Sequence, residues 1–164
     1  MKIGFLQFKP DFGRVRENIS KIEDMITDKD FDLLVLPELA NSGYLFTSRE
    51  ELEEYSERAS DGIFCSSLLK ICSRKNCFIV SGFCERAEEG KTTFYNSSIL
   101  AFPGNKFSIY RKVHLFNEES KFFTPGNLKF KAEKIYGEKF GEVSIGMMIC
   151  LDWLFPEAAR TLAL

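Results

Sequence analysis

Apolar residues fall along the chain in short runs separated by polar, turn-rich stretches. Ile3, Phe5, Leu6 and Phe8 predict a first strand over 2–8. Ile19, Ile22, Met25 and Ile26 recur at helical spacing and predict a helix over 15–27. Phe31-Asp-Leu-Leu-Val-Leu36 is almost continuously apolar before Pro37, the pattern of a strand covered on both faces. A loop containing Asn41-Ser-Gly-Tyr44 follows, then a charged helix-prone stretch over 49–58. Leu68, Leu69, Ile71 and Cys72 predict another amphipathic helix, and 77–83 the next strand. Two further strands, 92–102 and 106–111, meet at the turn signal Pro103-Gly-Asn105. An irregular stretch spans 112–128. Strands over 129–135 and 142–149 then lead through Cys150 into a helix over 154–164. Mixed strands and helices without repeat or linker predict one α/β domain over residues 1–164.

Composition narrows the function classes. The 164 residues are 45% hydrophobic and 28% charged, with net charge −2. That balance gives no reason to expect nucleic-acid or anionic-membrane binding. Gln7 and Lys9 interrupt the apolar start, so no secretory signal is visible, and no run reaches transmembrane length. Five cysteines, an odd number with no CxxC pair, fit reduced thiols in a cytoplasmic protein.

The residue that organises a functional reading is Cys150, a thiol between an apolar strand and a helix. Reacting groups of α/β folds gather at such strand ends. Glu38 also follows a buried strand, where desolvation can make a carboxylate a general base. Lys112, in Tyr110-Arg-Lys-Val-His-Leu-Phe116, is a candidate for stabilising an oxyanion. Each has a plain alternative: a core thiol, a loop acid, a snorkelling lysine. His114, the one histidine, lacks companions at metal-ligand spacing and reads as structural. Cys65, Cys72, Cys77 and Cys84 read as small core or helix-face residues. Glu118 and Glu119 are adjacent acids in the long loop.

Three separated segments alter that balance. Leu33-Leu-Val-Leu-Pro-Glu-Leu39, Tyr110-Arg-Lys-Val-His-Leu-Phe116 and Gly146-Met-Met-Ile-Cys-Leu-Asp-Trp153 resemble the signature blocks of the nitrilase, or carbon-nitrogen hydrolase, superfamily, in the same order. Tyr95-Asn-Ser97, Phe123-Thr-Pro-Gly126 and Phe155-Pro-Glu-Ala-Ala-Arg160 support the match. The resemblance implies an α-β-β-α sandwich that pairs through its helices into a homodimer or higher homo-oligomer. It implies Glu38, Lys112 and Cys150 as catalytic residues, joined by Glu119 rather than Glu118, and Tyr44, Leu151 and Trp153 as substrate-binding residues. The implied reaction hydrolyses a small amide to a carboxylic acid and ammonia through a cysteine thioester, without metal or organic cofactor. A depressed Cys150 pKa, and alkylation ahead of the other cysteines, are expected. Trp153 and nearby Phe residues point to an apolar or flat acyl pocket. Leu151, Asp152 and Trp153 replace the arginine that carbamoyl-amino-acid branches carry after the nucleophile. Nitrile or carbamoyl-amine hydrolysis is the related alternative. Superfamily members are considerably longer, and the apolar, uncapped ending Thr161-Leu-Ala-Leu164 predicts a truncated C-terminal part. A catalytically inactive fragment serving as a binding or oligomerisation module is therefore the rival from another class.

Overall fold

The computed structural model describes residues 1–87 and 93–164. Its main sheet has the order β1 (Ile3–Phe5), β2 (Leu33–Val35), β3 (Phe78–Arg86), β4 (Phe94–Phe102) and β5 (Lys106–Arg111). The first three strands are parallel and the last two antiparallel. The parallel part needs crossovers, which α1 (Val15–Ile26) and the pair α2 (Arg49–Tyr55) and α3 (Ile63–Lys75) supply. A separate hairpin joins β6 (Ala132–Gly137) to β7 (Gly141–Gly146), and α4 (Pro156–Ala163) ends the described chain.

Alternate residues of β2 enter opposite cores, as expected for a covered strand. Leu34 packs with Ile22 and Ile26 of α1 and Leu68, Leu69 and Ile71 of α3. Leu33 packs with Phe78, Leu100 and Tyr110 against Ile135 of the hairpin. Leu162 of α4 lies against Gly146 at the end of β7. Helix, sheet, hairpin and helix thus stack in the α-β-β-α order.

Several boundaries differ from the sequence expectation. The start of the strand expected from Thr92 lies outside the described residues, and β4 is seen from Phe94. The strand expected over 129–135 begins at Ala132, because Phe130 instead stacks its ring on Tyr110, 5.3 Å away. The strand expected over 142–149 ends at Gly146. Met147 and Ile149 leave the ladder and bury their side chains in the core. Its alternating exposure shows β7 covered on one face rather than both. The helix expected from 154 begins at Pro156, whose fixed φ suits the first helical position. Between strand and helix stands one turn of 3-10 helix, Cys150–Leu154.

Candidate active site

Glu38 leaves the end of β2 in a tight turn that lies directly on β3. A Cβ at Gly82 would come within 2.6 Å of the Glu38 Cα, so only glycine admits that approach. The Gly82 N–H donates to the Pro37 carbonyl at 3.0 Å, and the Ala40 N–H to the Gly82 carbonyl at 3.0 Å. Lys112 follows β5 directly. Its N–H donates to the Asn96 carbonyl on β4 at 2.9 Å, extending the antiparallel ladder by one residue. Strand alternation then separates the neighbouring cations. Arg111 forms a buried pair with Glu85, its Nε at 2.9 Å, while Lys112 enters the site. Gly126 seats the returning loop, its N–H donating to the Lys112 carbonyl at 2.8 Å.

Two donors and two acceptors close into a ring. Lys112 Nζ donates to Glu38 Oε1 at 2.9 Å and to Glu119 Oε1 at 3.0 Å. Asn96 Nδ2 donates to the same two oxygens, at 2.6 Å and 2.8 Å. Glu119 Oε2 also accepts from Lys112 Nζ at 2.8 Å and from the Phe116 N–H at 2.5 Å. The Lys112 side chain is wholly buried, and those of Glu38 and Glu119 are 23% and 4% exposed. Burial alone would push the Lys112 pKa down, but hydrogen bonds and charge from Glu119 and Glu38 outweigh it and hold the ammonium above its ordinary value. Burial alone would likewise raise Glu119. Lys112 and the Phe116 N–H reverse that and keep its carboxyl below the usual range. Of the adjacent acids, Glu118 faces solvent beside Lys121 and takes no part.

Cys150 stands beside this ring at φ +44°, a left-handed conformation that non-glycine residues seldom adopt outside functional sites. It is exposed, whereas Cys65, Cys72, Cys77 and Cys84 are buried. The expected depressed thiol pKa is corrected. Burial and the Glu38 charge push the Cys150 thiol up, against the opposing pull of Lys112 and the Leu151 N–H. The nearby carboxylates outnumber the one lysine, so the resting group is the thiol.

Asp152, two residues on, pins this turn. It is fully buried, and its Oδ2 accepts from the Ile149 N–H at 3.0 Å and the Tyr110 hydroxyl at 2.7 Å. Its Oδ1 accepts from the His114 N–H at 3.0 Å and faces His114 Nδ1 at 2.8 Å. His114 also stacks on Phe155 at 3.7 Å. Its role is structural: it ties the lysine block to the cysteine block. Asp152 and Asn96 lie inside segments that carry the resemblance, yet nothing in the sequence marks either as a site residue. A buried acid and a surface acid look alike there, and Asn96 is one of three consecutive polar residues, Asn96-Ser-Ser98, in its strand.

Burial, then the hydrogen bond and charge of Glu119, push the Tyr44 phenol far above its usual pKa. Tyr44 and Glu119 border a cavity of about 250 Å³, otherwise mostly apolar, with Leu45, Phe46, Phe116, Phe122 and Phe123 on its walls. Trp153 is 67% exposed and is absent from those walls, so the aromatic lining comes from earlier loops than expected. Among the described residues no group of three or more His, Cys, Asp or Glu is arranged to hold a metal, and no helix is long and apolar enough to cross a membrane.

The carbon-nitrogen hydrolase family model matches residues 2–164. The chain belongs to the carbon-nitrogen hydrolase family. It is similar to a nitrilase of Pyrococcus abyssi, 36% identical over 167 residues that cover all of this chain and 61% of the relative. It is also similar to an (R)-stereoselective amidase of a Pseudomonas species, 34% identical over 99% of this chain and 56% of the relative. A CN-hydrolase superfamily protein of Xanthomonas campestris superposes with a TM-score of 0.79 at 21% identity, over 96% of this chain and 56% of that one. That likeness establishes the shared fold. The chain spans about three fifths of the length of these relatives.

Proposed function

We propose that the protein, acting as one carbon-nitrogen hydrolase domain, cleaves a small amide to a carboxylic acid and ammonia through a thioester on Cys150. The observation that carries this reading is the closed ring of Glu38, Lys112, Glu119 and Asn96 beside an exposed, left-handed cysteine. Glu38 takes the thiol proton as the sulfur attacks the amide carbon, since the thiolate is the effective nucleophile. The Lys112 ammonium and the Leu151 N–H stabilise the oxygen anion that develops. Glu38 returns the proton to the departing nitrogen, and ammonia leaves. Glu38 then activates water, which hydrolyses the thioester and frees Cys150. Glu119 holds Lys112 charged and in place. The apolar cavity beside Tyr44 supports an aliphatic or aromatic acyl group. The superfamily resemblance supports a homo-oligomer paired through its helices.

Ammonia release from a panel of small aliphatic and aromatic amides tests the reading, with the corresponding nitriles in parallel because the Pyrococcus relative is a nitrilase. Turnover that is abolished by Cys150→Ala, with the circular-dichroism spectrum unchanged, is the expected result. Turnover that survives Cys150→Ala overturns it.

A further inference from the structure

Asn96 is 1% exposed and sits mid-sheet on β4, opposite Cys84 of β3. Its single amide nitrogen donates one hydrogen to Glu38 Oε1 at 2.6 Å and the other to Glu119 Oε1 at 2.8 Å. Its other end, Oδ1, is buried and has no hydrogen-bond partner among the described residues. Native proteins rarely leave a buried carbonyl oxygen unpaired, and those that do commonly owe it to a functional site. Rotating the amide by half a turn would not relieve it. The oxygen would then face two carboxylates and the nitrogen would face nothing. The side chain is therefore held for its donor end alone.

That end meets an electrostatic need. One lysine cannot balance two carboxylates, and like charges placed together drive one of them to protonate. The amide supplies two further N–H donors, aimed at the same oxygen of each acid that Lys112 already contacts. The ring has a consequence for Glu38. Both of its hydrogen bonds are made through Oε1, and Oε2 makes none among the described residues. Glu38 is thus anchored by one oxygen and keeps the other unpaired among the described residues, and the Cys150 thiol feels its charge.

We propose that Asn96 is a positioning residue of the site: it bridges the charged pair Glu38 and Glu119 through one amide nitrogen and fixes Glu38 through Oε1 so that Oε2 serves as the base. The catalytic consequence rests on the amide-hydrolase reading above; the pairing of charges does not. The test begins with the unaltered protein, its side-chain amides labelled with ¹⁵N and its glutamate carboxyl carbons with ¹³C. Both Asn96 Nδ2 protons should shift as pH falls from 7 through the folded Glu119 value, in step with the Glu119 carboxyl. Amide shifts that stay constant over that range overturn the proposal. Asn96→Leu keeps the branched shape and removes the donors. In that variant the Glu119 carboxyl midpoint should rise by about one pH unit, the change expected for one lost hydrogen bond to a charged acceptor. Turnover should lose kcat with KM little altered. An unmoved Glu119 midpoint in a folded Asn96→Leu overturns the proposal. If no amide or nitrile is turned over but the Glu119 midpoint rises, the amide-hydrolase reading fails while the positioning role stands.

Discussion

Replacing Asp152 by Asn changes one atom and should be among the more damaging single substitutions in this chain. Asp152 is fully buried and takes four contacts, two on each oxygen. An amide offers only one oxygen. If the new NH2 lies where Oδ2 was, the Tyr110 hydroxyl can rotate to accept from it, but the Ile149 N–H loses its partner. If it lies where Oδ1 was, His114 Nδ1 can accept, but the His114 N–H is stranded. Either way one buried backbone donor is orphaned, at about 1–3 kcal/mol. The surviving bonds also weaken from about 1.5–3 kcal/mol each, for a charged acceptor, towards about 0.5–1.5 kcal/mol for a neutral one. Together these give a loss of about 3–5 kcal/mol. At about 2–4 °C per kcal/mol for a chain of this size, thermal unfolding followed by circular dichroism should show Tm lower by roughly 6–20 °C. Because Asp152 joins the turn carrying Cys150 to the segment after Lys112, ammonia release measured well below that Tm should fall as well. A Tm within about 3 °C of the unaltered protein would refute the reasoning, since it would mean that Asp152 makes no net contribution to holding the two blocks together.

Glu38→Gln should separate reactivity towards alkylation from catalysis. It removes a charge that holds the Cys150 thiol up, so iodoacetamide should label Cys150 faster at pH 7.5, while amide turnover falls by about 10²–10⁴-fold for loss of the general base; slower labelling would contradict the electrostatic account. Glu119→Gln addresses acid stability. The folded Glu119 carboxyl lies below its ordinary value of 4.5, so its contribution is complete above that pH and is lost as pH falls through the folded value. The variant should therefore be less stable at pH 7 yet lose less further stability between pH 5 and pH 3, as read by thermal unfolding across that range; parallel pH curves for the two proteins would count against this.

The three blocks that carry the candidate chemistry were legible through their resemblance to the family's signature blocks, because Glu38, Lys112 and Cys150 each had a plain alternative on the residues alone. Glu38 and Lys112 are 74 positions apart and meet at 2.9 Å. The helices over 15–27 and 68–72 were legible from their period, which α1 and α3 reproduce. What escaped is what depends on enclosure. Asp152 is a buried hub and Asn96 a buried bridge, yet neither residue type announces burial. Glu85, paired with Arg111 and accepting from the Ser97 hydroxyl, escaped for the same reason. The ends of β6 and β7 were misplaced because Phe130, Met147 and Ile149 are apolar enough for a strand but are used to pack between layers. The sign of the Cys150 shift was misjudged because the burial of the thiol, its larger cause, and the pull of Glu38 against Lys112 show only in the folded chain.

That misjudged sign bears on how the proposed reaction would start. A thiolate at rest would need a positive surplus around Cys150, whereas Glu38 and Glu119 together outweigh Lys112. In the proposed reaction Glu38 takes the proton as the sulfur attacks, which neutralises one of those acids in the same step. The ring then passes from two negative charges against one positive to one against one, and Lys112 is less fully occupied by its partners. Its ammonium has three protons to direct, and the charge that moved from Glu38 to sulfur next appears on the substrate oxygen. Proton transfer to Glu38 thus both creates the nucleophile and releases part of the Lys112 field to the developing anion, which favours attack once a carbonyl is in place over an idle thiolate exposed to oxidation. Asn96 fits the same scheme, because its amide holds Glu38 by Oε1 and leaves Oε2 to take the proton in the proposed reaction.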